Sequence, residues 1–206
     1  MINKTLHKRL ATHCKAAYGR YISPLYNSAR IEIENDQCII GYDNVCKKIV
    51  IAFRGSDHEW KDWRSNFRFI CRETDWGDMH RGFYNSSQKL MHQLIRKIES
   101  LKKIEPDAKI ILTGHSRGGS MACTAAYFLH LANIEIEQIV TFGAPKFAQI
   151  KASKKFDFYF DIIRYENRFD FVPKLPFWSF GFRHVGKRIK LKTKKHDLDN
   201  YIKGVA

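Results

Sequence analysis

The sequence predicts an α/β fold with a mostly parallel sheet flanked by helices, and three observations carry that expectation. Short apolar runs of strand length alternate with longer segments of helical period, the pattern of strand–helix crossovers. The runs Lys48–Phe53 and Ile110–Thr113 are apolar almost throughout, as strands covered on both faces are. An alternating stretch, Ala29–Glu34, is followed by Asn35-Asp36 and then Cys38–Tyr42, which reads as an antiparallel hairpin near the start.

In chain order, Leu6, Leu10 and Cys14 recur at helical spacing, so residues 4–18 are expected to open the fold as an amphipathic helix. The hairpin and the buried strand at 48–53 follow. Leu90, Leu94, Ile98 and Leu101 give residues 84–103 a helical period. Ala108–Thr113 reads as a strand, Ser116–Leu131 as a helix rich in small residues, and Ile136–Phe142 as the next strand. Residues 146–155 are expected to be helical and Phe158–Tyr165 extended. No repeat, linker or low-complexity tract interrupts the chain, so residues 1–206 read as a single domain.

Composition narrows the function classes. With 44% hydrophobic and 28% charged residues, wholesale disorder is excluded. No apolar span of membrane length occurs, and the basic N-terminus lacks the apolar stretch of a signal peptide. The expected setting is therefore cytoplasmic, or one reached without a cleaved signal. Five cysteines without metal-type spacing point to free thiols in a reducing compartment. No phosphate-loop or dinucleotide fingerprint occurs, so neither a metal nor a cofactor is expected. The formal charge of +15, from 36 Lys+Arg against 21 Asp+Glu, marks an affinity for polyanions.

Chemistry is concentrated at Gly114-His115-Ser116-Arg117-Gly118-Gly119, a G-x-S-x-G motif between an apolar strand and a small-residue helix. That context is what a nucleophile elbow requires: glycines allow a sharp turn, and the serine hydroxyl is left exposed. The N–H of Arg117, at the helix start, would face a developing oxyanion.

Four stretches then match one family in order. Ile49–Ser56 with Trp60, Asp62-Trp63 and Asn66 looks like its oxyanion strand and turn, and Met79-His80-Arg81-Gly82-Phe83 like its H-x-G-F element. The elbow and Thr141–Lys146 form the third stretch. Asn167–Pro176, followed by His184-Val185-Gly186, resembles its acid loop. The chain from about residue 49 to 201 thus resembles the class 3 lipases of the α/β-hydrolase superfamily. The resemblance implies an α/β-hydrolase-like sheet and a serine carboxylic ester hydrolase acting on lipid esters.

A serine hydrolase needs a base and an orienting acid, in the chain order Ser, acid, His for this fold. Asp157, Asp161, Glu166 and Asp170 are the candidate acids. Asp170 is favoured because its loop leaves the C-terminal end of a strand, where catalytic groups of parallel sheets lie. Between His184 and His196, the segment His196–Tyr201 resembles the family's terminal H-x-x-x-x-Y, which carries the base. The resemblance assigns the oxyanion hole to Ser56 with the Arg117 N–H. His80 reads as a core histidine, and His115 as a neighbour pointing away from the serine.

Trp60, Trp63 and Phe67 share a helical face where the family's lid lies, and are expected to cover or line an acyl groove. Pro176–Phe182 is a second aromatic cluster. Arg117 stands where an apolar residue is usual, and its guanidinium could meet a phosphate. Seven cations crowd into residues 183–195, and Lys146, Lys151, Lys154 and Lys155 form a second group. The expected partners are a lipid ester and, peripherally, an anionic membrane; nucleic acid is disfavoured. Competing readings are an idle lipase-like module that binds through its basic surface, a small-ester esterase and an acyltransferase.

Overall fold

A computed structural model describes residues 2–19, 24–56, 70–176, 178–193 and 195–205. Helix α1 (Lys4–Ala17) is capped by the Asn3 side chain, which accepts from the Leu6 N–H at 3.0 Å. It buries Leu10, Ala11, Cys14 and Ala17. Strands β1 (Tyr26–Ile33) and β2 (Asp36–Asp43) form the hairpin. The turn falls at Glu34-Asn35, one residue earlier than expected, with Glu34 in the left-handed region at φ 55°. Strand β3 (Lys48–Phe53) pairs antiparallel to β2.

Two short strands, β4 (Cys71–Arg72) and β5 (Met79–His80), precede helix α2 (Arg81–Ile104). Strand β6 (Lys109–His115), helix α3 (Arg117–Leu131) and strand β7 (Gln138–Phe142) then make a crossover unit. Strand β8 (Ala148–Gln149) leads into helix α4 (Ile150–Tyr159) and strand β9 (Ile162–Asn167). Strands β10 (Phe182–Arg183) and β11 (Lys187–Leu191) and helix α5 (Leu198–Gly204) complete the chain.

Among the described residues the main sheet has the order β1-β2-β3-β6-β7-β9-β11, and β3 through β11 in that order are mutually parallel. Alternate residues of its strands feed two cores. Ile49, Ile51 and Leu112 pack toward α2, α3 and α4, whereas Val50, Ala52 and Ile111 pack toward α1 and α5. Both faces are covered, which accounts for the unbroken apolar runs. A second sheet of two-residue strands, β10-β8-β5-β4, sits beside the first.

Two boundaries differ from expectation. The helix expected at 146–155 runs from Ile150 to Tyr159, and the strand expected at 158–165 runs from Ile162 to Asn167. The run Phe156-Asp157-Phe158-Tyr159-Phe160 alternates like a strand, but tertiary packing decides otherwise. Phe156 is fully buried against Phe147 and Trp76, and Trp76 stacks on Tyr159 at 4.9 Å. Asp157 consequently belongs to a helix rather than to a strand.

All five parallel strands end on the same side. Ser56, Ser116, Gly143, Asp170 and His196 follow those ends, so the topology gathers them there.

Candidate active site

Ser116 occupies the one residue between β6 and α3, with φ 56° and ψ −132°. A non-glycine residue in that region is strained, and the surroundings hold it. Its N–H donates to the Phe142 carbonyl at 2.9 Å, and its own carbonyl accepts from Gly119 N–H at 2.9 Å. Gly118 is required by space: a Cβ there would lie 2.2 Å from the Phe53 carbonyl oxygen and 2.8 Å from the Arg54 carbonyl carbon. That contact presses the end of β3 against the start of α3. Ser56, half-buried two residues after Arg54, and the Arg117 N–H therefore sit on adjoining backbone segments. By position in the first helical turn, that N–H has no intrahelical acceptor.

Asp170 lies in the loop after β9 with its side chain fully buried. Its Oδ2 is 2.7 Å from His196 Nδ1 and accepts from the Tyr201 hydroxyl at 2.5 Å. Its Oδ1 accepts from the Val172 N–H at 2.9 Å. The carboxylate is thus held by three partners and aimed at one imidazole. His196 keeps 29% of its side chain exposed. Gly143 makes room for the pair, because a Cβ there would fall 2.9 Å from Asp170 Oδ2 and 3.1 Å from His196 Cε1. Its φ of 62° suits glycine as well.

His115 supports this arrangement through the backbone of His196. Its Nε2 is 2.6 Å from the His196 carbonyl oxygen, and its Nδ1 is 3.0 Å from the Tyr18 hydroxyl. The two imidazoles lie 4.7 Å apart. Burial, with His196 adjacent, pulls the His115 imidazole down to about 3, so it stays neutral. Sequence reasoning missed this role, although a histidine directly before the serine was visible.

Several expectations are placed elsewhere. His184 lies 3.6 Å from Glu166, not beside Asp170. The Arg117 guanidinium is directed at Asp36 and, at 2.7 Å, the Ser86 hydroxyl. It anchors the elbow to β2 and α2, which overturns the expectation that it meets a phosphate. His80 is buried against Phe83 and Phe182, as a core histidine is. Phe182 is fully buried while Phe180 is 47% exposed, so the second aromatic cluster is split between core and surface. Trp60, Trp63 and Phe67 lie outside the described residues.

A further His–Asp pair, not anticipated, exists far from the serine in sequence. His13 Nε2 is 2.6 Å from Asp43 Oδ2, which also accepts from Arg9 at 2.5 Å, with His13 and Asp43 fully buried. Burial alone would raise the Asp43 carboxyl, but the hydrogen bonds from His13 and Arg9 hold it well below the usual range. The trio fastens α1 to the end of β2. Among the described residues no group of three His, Cys, Asp or Glu could hold a metal ion.

A strained serine between strand and helix, with a buried Asp and a half-buried His paired in the loops at the same C-terminal edge of a parallel sheet, defines the class of α/β-hydrolase folds. The model of the class 3 lipases matches residues 50–180, more than half of the chain, and the chain belongs to that family. A secreted mono- and diacylglycerol lipase of Fusarium solani is 27% identical over 171 residues, covering 78% of this chain and 49% of the relative. A lipase of Rhizomucor miehei is 29% identical over 187 residues, covering 85% of this chain and 49% of the relative. The chain thus spans about half the length of these curated relatives. The solved triacylglyceride lipase of Rhizomucor miehei superposes with a TM-score of 0.79 at 21% identity, covering 91% of this chain and 79% of that one. Lipase II of Rhizopus niveus gives 0.82 at 20% identity, covering 92% and 81%. At that identity the superpositions speak to the fold alone.

Proposed function

We propose that this chain is a serine lipase or phospholipase that cleaves carboxylic esters of lipids through an acyl-enzyme. Ser116 Oγ attacks the ester carbonyl, His196 takes its proton and returns it to the leaving alcohol, and Asp170 orients His196 and stabilises the imidazolium. Ser56 and the Arg117 N–H hold the oxyanion, a pair of donors worth roughly 3–4 kcal/mol each in the transition state. The observation that carries this reading is the 2.7 Å Asp170–His196 contact in the loops beside the strained serine. Relatives named for mono-, di- and triacylglycerols support an acylglycerol-type substrate.

The same reading extends to where the enzyme works. The +15 charge favours an anionic phospholipid surface over a neutral one. Five unpaired cysteines, three of them buried, support a reducing compartment.

The test is hydrolysis of a chromogenic acyl ester by Ser116→Ala and Ser56→Ala. Ser116→Ala should abolish turnover with the melting profile unchanged, and Ser56→Ala should lose about 10²–10³-fold. Undiminished hydrolysis by Ser116→Ala would sink the mechanism.

A further inference from the structure

Three of the seven cations of the late basic run, Arg188, Lys190 and Lys192, converge on one cleft. Strand β11 is the edge of the main sheet, and its alternation divides its side chains. Ile189 and Leu191 pack toward α1 and α5, which turns Arg188 and Lys190 to the opposite face, and Lys192 follows directly after the strand. There they line a cleft of about 1120 Å³ together with Arg168 and Lys174 from the loop that carries Asp170. Lys146 joins them, leaving the Lys151–Lys155 group with which the sequence had placed it.

The cleft's acids are already committed. Glu166 pairs with Arg164 on the same strand, and Arg188 lies 3.8 Å from its second oxygen. Asp170 is held by His196, Tyr201 and the Val172 N–H. Among the described residues Arg168, Lys174, Lys190 and Lys192 face no carboxylate partner, although Arg168 and Lys174 lie over Phe169 and Phe171. Burial, against the pull of Glu166 and with Arg164 and Arg183 close by, lowers the Lys146 ammonium to about 8. Like charges converging on a concave, low-dielectric wall focus a positive field, at a cost that an anion would offset.

We infer that this cleft is a binding site for a phosphate-bearing anion, lined by neither Ser116 nor His196 and meeting the ester-cleaving groups at Asp170. Arg168, Arg188, Lys190 and Lys192 supply the charge-assisted hydrogen bonds that phosphate oxygens accept. A phospholipid headgroup and a free phosphate compound share this chemistry. The headgroup case deepens the proposed function and rests on it; the cleft itself does not.

The experiment titrates the full chain with inorganic pyrophosphate at constant ionic strength by calorimetry. Saturable binding is expected, weakened by at least about 30-fold in Lys190→Glu/Lys192→Glu, from about 1 kcal/mol per cation lost at tenfold per 1.4 kcal/mol, before the repulsion of the two new carboxylates is counted. The same charge change in Lys102→Glu/Lys103→Glu, at the end of α2, should weaken it less than about twofold through long-range field alone. Thermal melts of each variant establish that it is folded. Equal losses in the two double variants, or no saturable binding of pyrophosphate, would overturn the inference. A parallel arm measures retention of Ser116→Ala on phosphatidylglycerol–phosphatidylcholine vesicles, against phosphatidylcholine alone. Retention displaced by pyrophosphate identifies a headgroup as the ligand; pyrophosphate binding without retention identifies a free phosphate compound. Hydrolysis of a short soluble ester is read alongside. Its absence in the wild-type chain would fault the hydrolase reading while leaving the cleft result intact.

Discussion

Two histidine–carboxylate pairs lie downstream of Ser116, one formed by His196 and Asp170 and the other by His184 and Glu166. As residue types they are alike, and their surroundings make them different groups. Asp170 meets hydroxyl and amide donors besides His196, so its charge is free to act on the imidazole. Glu166 is taken up by Arg164 and approached by Arg188, and it stands 3.6 Å from His184. Burial, with Arg164 and Lys146 adding to it, drives the His184 imidazole down to about 2. A histidine that cannot hold a proton near neutral pH cannot shuttle one. The company a carboxylate keeps, rather than its distance to a histidine alone, decides whether the pair can do acid–base work.

The sharpest way to break this comparison is to remove each imidazole in turn. His196→Ala should cut kcat for a soluble ester by at least about 10⁴-fold, whereas His184→Ala should leave it within about tenfold. Steady-state kinetics of folded variants decides, and equal mild losses would dissolve the distinction. Next in size, Asp170→Asn should lose about 10⁴-fold, because the amide favours the wrong imidazole tautomer. Glu166→Gln is expected to cost far less activity and more stability, as it leaves Arg164 buried without its counter-charge.

Tyr201→Phe sharpens the comparison on the acid's side. Its hydroxyl donates to Asp170 from a fully buried position, so its loss should cost about 1.5 kcal/mol in a denaturant titration, with a smaller fall in kcat than Asp170→Asn.

The remaining effect is on pH dependence. The unfolded chain protonates His184 near pH 6.5, while the folded chain resists protonation down to about 2. Between those values the unfolded state binds more protons, so stability falls as pH falls. His184→Gln should flatten that fall in melting temperature, and an unchanged slope would contradict the assignment.

Much of this arrangement was legible in the sequence because it depends on local constraints. Lys48–Phe53 had to be a doubly covered strand from its unbroken apolar run, and Gly114–Gly118 had to be a tight turn. Asp170 was readable from chain order and loop position and His196 from its segment's resemblance to the family's terminal motif, and the structure brings them together. What was not legible depends on long-range packing. The Phe156–Phe160 run took a helical end because Trp76, eighty residues upstream, stacks on it. The second sheet is made of two-residue strands, too short for any period to show. The His13–Asp43–Arg9 trio and the convergence of Lys146 with β11 join segments that carry no common motif. Arg117 was readable as a backbone donor, but the destination of its guanidinium required Asp36, which only the hairpin places beside α3.

The central claim is that Ser116 is a nucleophile made reactive by His196 and not by His184. Labelling by a fluorophosphonate probe, with the modified residue mapped by mass spectrometry, reads that reactivity directly. The account predicts modification of Ser116 alone in the wild-type chain, unchanged in His184→Ala and lost in His196→Ala. Labelling of Ser116 that survives His196→Ala and disappears in His184→Ala would contradict it.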